Sequence, residues 1–203
     1  VSGALAAGGT MSGDGTAESP FQIEDIKDLR AIGTGDYSDS SNYVLVEDID
    51  GSSADFEPID CAFRGVFDGQ KHTISNLTID KPDENAVGLF GYAKYATIKN
   101  LTLKNVKVTG KNYVGALAGD IDDSRIDNVF ALNCDVRGVK FVGGLVGAAG
   151  YLGRSGTMEL NIVAGTGSVW GQENVGGVVG HLSACMTNTF SVSVIKGYEN
   201  VGG

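Results

Sequence analysis

The chain has 203 residues, with 15 basic side chains against 25 acidic ones, a formal charge of -10 and a pI near 4.5. This balance argues against nucleic acid and anionic membranes, which reward clustered positive charge, and no run of about 18 apolar residues is present to insert in a bilayer. Its 31 glycines and 3 prolines also set it apart from collagen-like and Pro-rich disordered chains.

Residues 1–18 are mostly small and polar and read as a flexible Gly/Ser-rich linker, left by processing or by separation from a longer chain. Residues 19–62 read as an N-terminal cap of a helix plus a strand. Ile23, Ile26, Leu29 and Ile32 recur at threes, acids lead and Gly33 stands ready to stop the turn, which predicts a short capping helix. A polar loop over 36–42 leads to a strand at Tyr43–Val46, and a second strand is expected over Phe63–Phe67.

From residue 63 to 203 the chain repeats itself. Ala86-Val87-Gly88-Leu89-Phe90-Gly91 returns as Val114-Gly115-Ala116-Leu117-Ala118-Gly119, then as Val142-Gly143-Gly144-Leu145-Val146-Gly147 and Val175-Gly176-Gly177-Val178-Val179-Gly180. The closing glycines are 28, 28 and 33 residues apart. Units of that size cannot bury their own apolar faces, so they stack as a solenoid. A second phrase, Ile74-Ser75-Asn76-Leu77-Thr78-Ile79, aligns with Ile98–Leu103 and Ile126–Ala131, and with one-residue slips at Asn161 and Asn188. A third aligns Val106–Gly110 with Cys134–Gly138. Alternation over four to six residues means strands with one buried face. Three such strands per coil predict an all-β, right-handed parallel β-helix with a repeat of about 28 residues. Leu89, Leu117, Leu145 and Val178 should stack inside, as should Leu101, Val129 and Ile162. Asn76, Asn100, Asn128 and Asn161 should form a structural ladder at one corner. The chain stops at Val201-Gly202-Gly203, at the start of a first strand, so the last coil is incomplete and continuation into further repeats or domains is expected.

The Gly-Leu-any-Gly core of Gly88–Gly91 and Gly144–Gly147 resembles the GLUG-motif repeats. The entry segments Gly15–Ile23, Glu47–Asp50 and Phe63–Ile74 resemble the usual lead-in to such arrays. The resemblance covers residues 15–203 and implies a parallel β-helix in an extracellular or cell-surface setting, as in microbial adhesin-like proteins or beside the zinc domain of IgA-peptidase-like enzymes. It implies no activity of its own, because one array serves several parents.

Catalytic residues are not evident. His72 and His181 both lack the HExxH spacing of a zinc peptidase. Cys61, Cys134 and Cys185 lack CxxC spacing and read as small buried hydrophobes, so neither a metal nor a cofactor is expected. Asp120-Ile121-Asp122-Asp123 is the best acidic cluster, but adjacent Asp122 and Asp123 at a tight corner point apart, unlike the facing pair of a glycosidase. Asp48-Ile49-Asp50-Gly51 reads as a structural turn. Tyr92, Tyr95, Tyr113 and Trp170 are candidate ligand contacts near strand ends. The leading expectation is a non-catalytic surface module for adhesion to a host or cell-surface protein or glycan, or for rigid presentation of other domains. An ancillary module of a secreted IgA-peptidase-like metalloprotease and a carbohydrate-active β-helix enzyme are the alternatives.

Overall fold

A computed structural model describes residues 11–53, 55–150, 159–183 and 185–202, with the side chains of 159–165 and 185–190 outside that description. The chain enters through β1 (Phe21–Ile23), α1 (Ile26–Ala31), β2 (Asn42–Leu45), β3 (Ile49–Asp50) and β4 (Ile59–Phe63). The next turn is β5 (Val66–Asp68), β6 (Thr73–Ser75), β7 (Thr78–Asp80) and β8 (Phe90–Lys94). It is followed by β9 (Thr97–Lys104), β10 (Lys107–Thr109), β11 (Asn112–Val114) and β12 (Ala118–Asp122). Then come β13 (Arg125–Arg137), β14 (Lys140–Gly143) and β15 (Val146–Ala149), and after them β16 (Glu159–Trp170), β17 (Glu173–Gly176) and β18 (Val179–Leu182). β19 (Cys185–Lys196) and β20 (Glu199–Gly202) lie on the next coil. The fold is a parallel β-solenoid of about five turns with one short helix, as the repeats predict.

Each turn lays its strands on those of the turn before. One wall is β4-β8-β12-β15-β18, a second is β11-β14-β17-β20, and the long strands β9, β13, β16 and β19 bend to form the remaining wall. The ladder already includes β1, which pairs with β2 and through it with β5, so residues 19–62 contribute strands as well as the helix. Ile23 is drawn into β1 opposite Leu45, and α1 is therefore shorter than the threefold spacing predicts. The helix is closed reciprocally. Asp25 accepts from the amides of Lys27 and Asp28, and Asp28 accepts from that of Glu24. The strand expected over Phe63–Phe67 is two strands meeting at Gly65, where a Cβ would collide with the Ser41 carbonyl.

Leu89, Leu117, Leu145 and Val178 are all buried, and backbone bonds join each of these levels to the next. Leu101 lies opposite Val129, but the next residue in that register is Val163 rather than Ile162. Cys134 occupies the place of Val106 one turn earlier and is buried. The closing glycine of each phrase permits close approach. A Cβ on Gly119 would lie 2.3–2.5 Å from backbone atoms of Ala86 and Val87, and Gly147 and Gly180 face Tyr113 and Phe141 in the same manner.

Candidate functional site

The polar side chains with defined geometry lie at corners, and the corners are left-handed. Asn76, Asn100, Asn105, Asn128 and Asn133 all have φ between 53° and 58°. Asparagine tolerates this region because its short polar side chain bonds locally. The single ladder expected from the repeats is in fact two. In one, Asn128 donates to Asn100 at 3.0 Å and Asn100 donates to Asp68 at 3.1 Å. In the other, Asn133 donates to Asn105, Asn105 to Asn76 and Asn76 to Asp50, at 2.8, 3.1 and 2.9 Å. Asn76 thus belongs with Asn105 rather than with Asn100. Asn161 lies opposite Asp127, one place before the ladder position, and its side chain is outside the description.

The cause is a five-residue phrase used twice within each turn. Ile98-Lys99-Asn100-Leu101-Thr102 is followed at once by Leu103-Lys104-Asn105-Val106-Lys107, and Ile126–Phe130 by Ala131–Asp135. Register places Ile74 opposite Leu103, not opposite Ile98. Each ladder ends on a carboxylate beside a glycine, at Asp50-Gly51 and Asp68-Gly69. The hydrogen bonds from Asn76 and from Ser52 hold the Asp50 carboxyl below its usual range. Burial works against the charge of Asp68, yet bonds from Gln70, Asn100 and Lys99 prevail and lower it too. The amides all point toward a charged acceptor, so each chain is polarised in one direction. Asp48 is also engaged, accepting from the Thr73 amide and sharing a hydrogen with His72 Nδ1 at 3.0 Å. Among the described residues, no three His, Cys, Asp or Glu side chains converge.

The aromatic candidates do not share one surface. Tyr92 lies on β8 opposite Asp120, and Tyr95 occupies a left-handed corner with Lys94 over its ring. Tyr113 stacks on Phe141 of the next turn at 5.0 Å, and the Phe141 ring also meets His181. Trp170 lies between two cations, with the Arg137 guanidinium at 6.0 Å and the Lys196 ammonium at 4.2 Å from its centroid. Tyr113 and Trp170 thus make contacts between coils, while Tyr95 and Trp170 remain exposed.

The acidic cluster differs from its expected arrangement. Asp120 and Asp122, not Asp122 and Asp123, share β12, while Asp123 turns the corner at φ 45°. Asp122 pairs with Lys94 at 3.1 Å, and one oxygen of each β12 carboxylate is buried without a hydrogen-bond partner. Burial, with Asp122 adding to it, pushes the Asp120 carboxyl up to about 6. Sequence reasoning placed Asp120 in this cluster but weighed only the adjacent Asp122 and Asp123 as a pair, although a spacing of two along a strand puts Asp120 and Asp122 on one face. Burial likewise raises the thiols of Cys61 and Cys134 to about 11, which keeps them protonated and unreactive.

Residues 41–132 match the model of the M26 IgA1-specific metallo-endopeptidase N-terminal region. Halomucin of Haloquadratum walsbyi is 40% identical over 149 residues, covering 66% of this chain and 2% of that protein. An immunoglobulin A1 protease of Streptococcus sanguinis is 34% identical over 148 residues, covering 68% of this chain and 8% of the protease. The chain therefore spans only a small part of these relatives. A crystal structure described as an immunoglobulin A1 protease from Bacteroides ovatus superposes with a TM-score of 0.59 over 93% of this chain and 76% of that one, at 19% identity, a likeness of fold alone. The array is similar to the repeat region of IgA-peptidase-associated proteins, as its Gly-Leu-any-Gly phrases suggest.

Proposed function

We propose that this chain is a non-catalytic extracellular module that holds other parts of a longer surface protein at a fixed distance, as an ancillary segment of an IgA-peptidase-like parent. The observation that carries this reading is the continuity of the ladder. Parallel pairing runs from β1 through β2, β5, β9, β13 and β16 to β19, with one register shift between Ala131 and Cys134 where β13 meets β16, and two asparagine chains brace the corners. A stack that contacts only its neighbours gains length coil by coil and resists bending. The match to a peptidase N-terminal region supports the setting, and the matched relatives support an extracellular location. Adhesion is the second reading, favoured by a polar face considered below. Incubation of the purified chain with IgA1, a general protease substrate, and acidic and neutral polysaccharides is expected to give no turnover above buffer. Cleavage that disappears in the Asp120→Asn/Asp122→Asn variant overturns the non-catalytic reading.

A further inference from the structure

One outward face departs from the acidic character of the whole. Where β7, β10, β13, β16 and β19 lie in register, Asp80, Thr109, Arg137, Trp170 and Lys196 follow one another up the stack, with Lys107 beside them. A groove of about 310 Å³ lies along the lower part, lined by Asp80, Lys107, Thr109, Asp135 and Arg137 among others. The chain carries -10 overall, yet cations outnumber acids here. Arg137 and Asp135 neutralise each other at 2.8 Å. That leaves Lys107 and Lys196 with no carboxylate within ion-pair distance among the described residues.

We propose that this face is a binding track for an acidic polysaccharide laid along the solenoid axis, which gives the adhesive reading a ligand class. Successive coils are about 4.7–4.9 Å apart, so side chains of one column meet an extended polymer at regular steps. Lys107 and Lys196 supply separated positive charges for carboxylates on the polymer. Thr109 and the unpaired Asp80 carboxylate supply a donor and acceptors for its hydroxyls. Trp170 holds the Lys196 ammonium over its ring, which fixes the charge in position before the ligand arrives. The remaining negative charge of the molecule does not oppose this, because at physiological salt fields decay over about 8 Å and local groups dominate. A uronate polymer, with one carboxylate per sugar, is less densely charged than a nucleic acid and suits the few cations here.

The test is retention of the purified chain on immobilised polygalacturonate and on neutral dextran, at low and high salt. Retention is expected on polygalacturonate only, weakening with salt. The Lys107→Glu/Lys196→Glu variant should bind about tenfold more weakly or worse, a loss of about 1.4 kcal/mol. The Lys27→Glu/Lys71→Glu variant, with the same change of charge away from these strands, should bind as the parent does, and circular dichroism verifies that both fold. Equal retention on dextran, equal loss in the two variants, or no loss at Lys107 and Lys196 overturns the track. None of these outcomes bears on turnover, so the non-catalytic reading fails or survives separately.

Discussion

At the scale of single residues, Asp120 is the side chain most at odds with its surroundings. Its raised carboxyl, at about 6, means that the folded chain prefers it protonated, whereas the unfolded chain ionises it near 3.8. Between those values the native state binds more protons than the unfolded state. Stability from this group is therefore complete below about pH 4 and is lost as pH rises through about 6. The shift corresponds to roughly 1–2 kcal/mol once partial exposure is allowed for. Asp120→Asn should accordingly raise the unfolding free energy by about that amount at pH 8 and by little at pH 4. Denaturant titrations of parent and variant at both values measure the difference. An equal gain at the two pH values would show that the cause is packing and not charge.

At the scale of elements, the ladders couple strands that are distant in sequence. Asn100 accepts from Asn128 and donates to Asp68, so it links β5, β9 and β13 at one corner. Its φ of 53° also makes it one of the residues that lets the chain turn there. Asn100→Ala removes both bonds and leaves a non-glycine residue without its local compensation, at a cost of about 1–3 kcal/mol. Asn100→Gly relieves the backbone but not the lost bonds, and should fall between parent and alanine. Thermal unfolding of the three proteins settles the order. Alanine and glycine variants of equal stability would mean that the ladder bonds matter and the corner geometry does not.

At the scale of the whole molecule, protection should follow pairing. Strands β9, β12 and β13 pair on both sides and enclose fully buried residues such as Leu117 and Val129. Strands β18, β19 and β20 pair on one side only, and Val192 and Val194 are 72% and 60% exposed. A solenoid opens from levels with one neighbour, because each level is held by the levels above and below it. In dilute solution of this chain, amide exchange should be slowest around Leu117 and Leu145 and fastest over residues 185–202. Uniform exchange along the chain would indicate that the stack unfolds as one unit.

The repeated phrases and their alternation were enough to specify a parallel solenoid, its period and the inward stack of Leu89, Leu117, Leu145 and Val178, because a unit too small for its own core has to find one in its copies. The register of the asparagines was not legible. As a string the phrase around Asn76 matches Ile98–Leu103 better than Leu103–Val108, and only strand pairing shows that Asn76 meets Asn105. The same pairing moves Asn161 out of the ladder, takes Ile23 from the helix into β1, and sets Trp170 between Arg137 and Lys196. Local pattern sets which face of each strand is buried. Which residue meets which across a coil depends on corner geometry and insertions elsewhere in the turn, and that information exists only when the chain is wound.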